Sequence, residues 1–179
     1  RVDITTTSDT EVLENFTCSF WANPGRTTRR PGESTSGASM TGGTSNNTIY
    51  ETMAVTTATH AGVGFALGTD GFVVYEHADG HQPATLVYSS TLTGWKHYTV
   101  VVENNRARLY INGVQVRQGL QSARKLYFAK KFGNSWDIGE LGDGAYGDYN
   151  GKFDEFRLYN RTLSAGEVSQ LYNKEAIYG

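Results

Sequence analysis

Three apolar runs separated by two pairs of turn residues make up the stretch WKHYTVVVENNRARLYINGVQV, Trp95 to Val116. Lys96 to Val102 is rich in β-branched and aromatic residues, and Asn104-Asn105 interrupts it. Arg106 to Ile111 then alternates, with Leu109 and Ile111 on one face and Arg108 and Tyr110 on the other. Asn112-Gly113 breaks the chain again before Val114 to Val116. Asn and Gly tolerate the positive φ that two-residue hairpin turns need. The stretch predicts three consecutive antiparallel strands, a meander at the centre of a sheet. Strands this apolar must be covered by a second layer.

Further strands are predicted at Val2 to Ile4, Phe16 to Ala22, Thr48 to Thr57, Gly62 to Leu67, Phe72 to His77, Ala84 to Ser89, Lys125 to Ala129, Ser135 to Gly139 and Phe153 to Tyr159. In FTCSFWA, Phe16, Cys18 and Phe20 face one way and Thr17, Ser19 and Trp21 the other. In the last strand, Phe153, Phe156 and Leu158 cannot share a face under strict alternation, so a bulge is expected at Asp154-Glu155. One helix is expected, from Ser164 to Asn173, with a Ser164/Glu167 capping box and a Leu163/Val168 staple. So many strands in one sheet would leave apolar faces wet, which implies a two-sheet antiparallel sandwich. No repeat divides the chain, and its 179 residues suit a single domain spanning 1–179. Arg26 to Asn47 has almost no apolar residues and reads as a long loop, an unusual feature in a compact domain unless it has a use or is disordered.

The formal net charge of -2 gives no general attraction to nucleic acid, and no apolar run is long enough for membrane insertion. The one cysteine, Cys18, has no internal partner and reads as a small buried hydrophobe. A chain that opens on Arg1 is expected to be an excised fragment or a mature product. Asn15-Phe16-Thr17, Asn46-Asn47-Thr48 and Asn160-Arg161-Thr162 match the glycosylation acceptor pattern, which chance produces often.

GWKHYTVVV with RLYINGVQV, the early strand FTCSFWANP and the closing GKFDEFRLYNRTLSAGEVSQLY together resemble the laminin-G-like, concanavalin A-like jelly-roll domains. The resemblance runs from about Val2 to Tyr172. It implies a β-jelly-roll sandwich that binds a partner. The expected role is a non-catalytic carbohydrate-binding module, secreted or at a cell surface, joined covalently to catalytic or surface domains and holding an oligo- or polysaccharide. The rival expectation is a protein-binding adhesion module. The E-x-D-x-x-E spacing of the related glucanases is absent, as are G-x-S-x-G, H-E-x-x-H and a phosphate loop.

Calcium is expected as a possible structural ion, with Asp154 matching the family's acidic position and Asp3 and Glu14 in the N-terminal segment. Glu11 lies in the same N-terminal segment, and Glu140, Asp143 and Asp148 lie in Gly-rich loops whose carbonyls are free to turn inward. For the glycan, the candidates are Tyr75 and His77 on the open face of a concave sheet, Trp136, Tyr146 and Tyr149 around a Gly-rich stretch, and Arg124. Trp21 and Trp95 belong to the framework motifs and are assigned to core packing. Should the glycan be acidic, the basic clusters are Arg26, Arg29 and Arg30, and Arg124, Lys125, Lys130 and Lys131. The four histidines have no zinc-like spacing.

Overall fold

The computed structural model describes residues 2–3, 12–42, 45–51, 58–129, 137–138 and 149–178, with backbone alone at 2–3, 12–13, 129, 137–138 and 178. The strands run in order as β1 (Val2–Asp3), β2 (Val12–Leu13), β3 (Phe16–Pro24), β4 (Thr48–Glu51), β5 (His60–Gly68), β6 (Gly71–His77) and β7 (Ala84–Ser89). They continue as β8 (Lys96–Glu103), β9 (Arg106–Ile111), β10 (Val114–Gln118), β11 (Lys125–Ala129), β12 (Asp137–Ile138) and β13 (Gly151–Tyr159). Helix α1 (Ala165–Tyr178) closes the chain.

The meander is present, with β8, β9 and β10 paired in sequence order. Its turns are two-residue hairpins with positive φ at both positions: 50° and 63° at Asn104 and Asn105, and 49° and 79° at Asn112 and Gly113. The sheet order is β10-β9-β8-β3-β13. Only β8 is central, and β10 is an edge, so the meander forms one half of the sheet and not its middle. The second sheet has the order β2-β11-β5-β6-β7, with β4 also on β5. One pairing departs from the antiparallel expectation: β11 runs parallel to β5 over Lys125↔His60 to Tyr127↔Gly62. The strand expected to Thr57 is described only to Glu51, and Met53 and Val55 lie outside the described residues.

Between the sheets lies a core fed by strand alternation. Phe16, Cys18, Phe20 and Ala22 of β3 face inward with Val100 and Val102 of β8, Phe72 and Val74 of β6, and Phe65 and Leu67 of β5. Phe20 stacks at 5.7–6.4 Å on Tyr98, Phe156 and Phe72. Burial pushes the Cys18 thiol well above its ordinary range, as suits a packing residue.

The bulge in β13 falls where alternation fails. The register with β3 shifts between Asp154 and Arg157, and Glu155 takes φ 54°. Phe153, Phe156 and Leu158 then all pack on the core.

Both sheets are covered on their outer faces. Leu163 and Val168 pack with Val101 and Tyr110, which seats α1 on the five-stranded sheet. The cap is reciprocal: Ser164 N–H donates to Glu167 at 2.8 Å, and Glu167 N–H donates to Ser164 Oγ at 3.2 Å. On the six-stranded sheet, the long loop after β3 lies across the outer face. Its Met40 is fully buried with Ala66, Val73, Tyr75 and Ala84. Backbone bonds fix the loop at Ser34 to Ala84 (2.8 Å) and at Met40 and Gly37 to Gln82 (3.0 and 2.9 Å). Glu33 accepts Val87 N–H at 2.9 Å and Arg117 Nη2 at 2.6 Å. The loop is an ordered layer.

Candidate functional site

A concavity lies where the outer face of the five-stranded sheet meets the last turns of α1. Trp21 of β3 is in register with His97 of β8 on one side and Asp154 of β13 on the other. All three sit on the face opposite the Phe16/Cys18/Phe20 core set, because strand side chains alternate. The β13 bulge sets Asp154, Glu155 and Arg157 along the rim of this face. Lys174, Glu175 and Ala176 of α1 line the concavity from the helix, and Trp95, just ahead of β8, lines it as well. The cleft has a volume of about 590 Å³.

Glu175 organises it. Its Oε2 accepts Trp21 Nε1–H at 3.0 Å and lies 3.0 Å from His97 Nε2, while its Oε1 lies 2.5 Å from Arg157 Nη1. The Trp21 indole is 5.4 Å from the His97 ring and 6.0 Å from Tyr172. His97 is wholly buried; burial first, and then the charge of Arg157, holds its pKa down at about 4. Burial raises the Glu175 carboxyl, against the pull of Arg157. Arg157 also bonds Glu155 at 2.6 Å, and Asp154 accepts its neighbour's N–H at 2.7 Å. Trp95 is 48% exposed and carries no such restraint. The result is an aromatic face open to solvent beside a row of carboxylate and cationic groups, a surface suited to stacking on an apolar ring face while hydrogen-bonding its rim.

This arrangement corrects the assignment of Trp21 and Trp95 to core packing. Strand parity already put Trp21 on the outer face. What the local sequence lacked was the wall, contributed by residues more than a hundred positions away.

Of the six glycan-binding candidates, the four that lie among the described residues do not converge. Tyr75 is fully buried beneath the loop, its ring over Gly64, so the open concave face expected around it is a closed interface. His77 is nearly buried, with Nδ1 2.8 Å from Glu51. Arg124 donates to the His60 carbonyl at 3.3 Å, at the start of β11. Tyr149 is 9% exposed and lines a separate depression with Asn23, Gly25, Asn150 and Lys152. Its hydroxyl donates to the Lys152 carbonyl at 3.3 Å. Trp136 and Tyr146 lie outside the described residues, as do Glu11, Lys130, Lys131, Glu140, Asp143 and Asp148.

The calcium candidates are likewise apart. Glu14 is 3.4 Å from Lys125 at one end of β3, and Asp154 pairs with Trp21 toward the other. Phe16 to Trp21 alone is about 17 Å of strand. The Asp3 side chain lies outside the described set. Among the described residues, no three His, Cys, Asp or Glu side chains are placed together to hold an ion. No helix among them is long and apolar enough to cross a membrane.

A family model described as concanavalin A-like lectin/glucanases superfamily matches residues 2–169. Among curated proteins, none matches significantly. Several solved structures share the fold at low identity. One is domain 4 of AbnA, a GH43 extracellular arabinanase from Geobacillus stearothermophilus, in complex with arabinotriose. It has a TM-score of 0.56 and 17% identity over 91% of this chain and 68% of that one. A heptameric SAP-like pentraxin from Limulus polyphemus gives 0.57 and 13% over 90% and 70%. A botulinum neurotoxin type C structure, whose cell entry depends on two ganglioside molecules, gives 0.54 and 16% over 90% and 36%. At these identities the likeness concerns the fold alone.

Proposed function

The chain belongs to the concanavalin A-like lectin/glucanase superfamily, and from that premise we propose that it is a non-catalytic carbohydrate-binding module whose glycan lies in the cleft between Trp21 and Trp95. The observation that carries the reading is the half-exposed Trp95 indole lining a cleft that also holds hydrogen-bonding groups. A pyranose or furanose ring presents a C–H face for the indole and hydroxyls for the rim. The arabinanase domain that holds arabinotriose lends support, since it shares the fold.

A binding role also fits the state of the carboxylates. Glu175 is held by Trp21 and Arg157, Glu155 by Arg157, and Asp154 by its neighbour's amide. Each has a partner in the fold or a salt link, and among the described lining residues no unpartnered acid and base face each other across the cleft. In a secreted parent chain, the module would concentrate an attached enzyme or surface domain on its polysaccharide.

Affinity electrophoresis against a panel of soluble polysaccharides tests this. At least one should retard the domain, and Trp95→Ala should weaken that binding tenfold or more, the loss typical of an exposed aromatic anchor. Circular dichroism of the variant should match the parent, because Trp95 is half in solvent. Retardation that survives Trp95→Ala would put the glycan elsewhere. Silence on every glycan, with capture of an extracellular protein, would favour the adhesion reading. Release of shortened oligosaccharides on incubation would refute the non-catalytic role.

A further inference from the structure

We infer that the cleft selects uncharged glycans and turns away uronates, sialates and sulfated sugars; the inference rests on the reading above and narrows it to a ligand class.

Three carboxylates, Asp154, Glu155 and Glu175, line the cleft against two cations, Arg157 and Lys174. Recognition of a sugar carboxylate or sulfate favours a guanidinium fork with its donors free. Arg157 is the only arginine among the described lining residues, and both ends of its fork are engaged. Nη2 lies 2.6 Å from Glu155, and Nη1 lies 2.5 Å from Glu175. The hydrogen bond to Glu155 and the charge of Glu175 raise its pKa despite partial burial, so these contacts favour its charged form. An acidic sugar arriving here meets Glu155 beside the arginine and Asp154 next along the strand. Like charges placed together are a means of rejecting a wrong partner. Lys174 remains as a point charge without a fork.

The same rim suits hydroxyls. Carboxylates accept O–H donors in short, charge-assisted bonds, and the exposed Asp154 and Glu155 have acceptor capacity beyond their present partners. A neutral sugar supplies donors and carries no charge to desolvate.

The arginines described in the loop beneath which Tyr75 lies also have partners within the fold. Arg30 is 2.9 Å from Asp70, Arg29 bonds the Thr41 carbonyl at 3.2 Å, and Arg26 bonds Asn47 at 2.9 Å. Arg117, which reaches the loop from β10, is held by Glu33.

The test compares neutral polysaccharides (arabinan, xylan, a soluble β-glucan) with acidic ones (polygalacturonate, a sulfated glycan) on the same gels. At least one neutral polymer should bind the parent tenfold or more tightly than either acidic polymer. That binding should change little between roughly 0.05 and 0.5 M salt, since an uncharged ligand gives nothing to screen. Glu155→Gln releases one arm of Arg157 and removes one negative charge. It should shrink the neutral-to-acidic ratio roughly threefold to tenfold. Stronger retardation by an acidic polymer, abolished by Trp95→Ala, would overturn the selectivity while leaving the cleft as the glycan site. An unchanged ratio in Glu155→Gln would overturn the role given to the engaged fork. Failure of both polymer classes to bind would sink the proposed function itself, a different result from either.

Discussion

A missing methyl group at Gly64 decides where the Tyr75 ring goes. Along β5, Ala61, Val63, Phe65 and Leu67 feed the inter-sheet core, while the outward positions include Gly62, Gly64 and Gly68. At Gly64 the ring of its β6 partner Tyr75 fills the space the glycine leaves. A Cβ at Gly64 would stand 2.2 Å from Tyr75 Cζ, and that ring is wholly buried under the loop. Gly64→Ala should therefore destabilise the domain by about 1–3 kcal/mol through overpacking. For a chain this long, that lowers Tm by roughly 2–4 °C per kcal/mol. Gly32→Ala is the control, because nothing lies within 4 Å of its Cβ position, and it should melt with the parent. Equal Tm values for all three proteins would mean Tyr75 has room to move. The alternation in HAGVGFALG was legible, yet its consequence was not. Tyr75 is rightly placed opposite Phe72 and Val74, but its exposure depends on a loop that local pattern leaves unplaced. Trp95 shows the reverse error: a framework motif suggested burial, whereas its indole is half in solvent.

Helix α1 shows where element-level reading succeeds and where it stops. Its start was legible because capping is short-range: Leu163, Ser164, Glu167 and Val168 lie within six consecutive residues. The bulge in β13 was legible for the same reason, as a break in a period of two. The helix end was not. Expected at Asn173, it runs to Tyr178, and Glu175 is tied to Trp21, His97 and Arg157, all distant in sequence. That seat has a pH signature. His97 ordinarily titrates at 6.5, and burial with Arg157 nearby moves it to about 4. Between those values the unfolded chain takes up a proton that the folded chain refuses. The His97 contribution is thus complete above about pH 6.5 and is lost as pH falls toward 4, by about 2–3 kcal/mol. Glu175, raised by burial, acts in the opposite sense, losing its contribution as pH rises through its folded value. Thermal melts across this range should show a steeper acid loss for the parent than for His97→Gln, which cannot titrate. Parallel curves would remove His97 from the account.

At the scale of the molecule, the described residues stack four layers in order: α1, the five-stranded sheet, the six-stranded sheet and the loop. Two of these follow directly from alternation, since apolar strands on one face require a partner sheet. The helix layer follows from the capped segment at the chain's end. The loop layer does not follow, because a stretch of Gly, Ser, Thr and Arg has no periodicity to aim it. It holds its place through backbone bonds to Ala84 and Gln82, Glu33 between Val87 and Arg117, and Met40. With one outer face under the loop and much of the other under α1, the described concavities fall at the margins: the Trp21/Trp95 cleft and the depression beside Tyr149. Met40 is the test of whether the loop is a layer or an ornament. It is the one buried apolar side chain among the loop's described residues, set against Ala66, Val73, Tyr75 and Ala84. Met40→Ala should cost about 2–5 kcal/mol, the range for emptying a core site. With an m-value of about 2 kcal/mol/M, the urea midpoint should fall by about 1 M or more. The remaining hydrogen bonds should keep the variant folded, so its glycan binding at the opposite face should persist. A midpoint that does not move would mean the outer face of the six-stranded sheet is stable without its cover. It would then be a surface free for other use, as strand pattern alone implied.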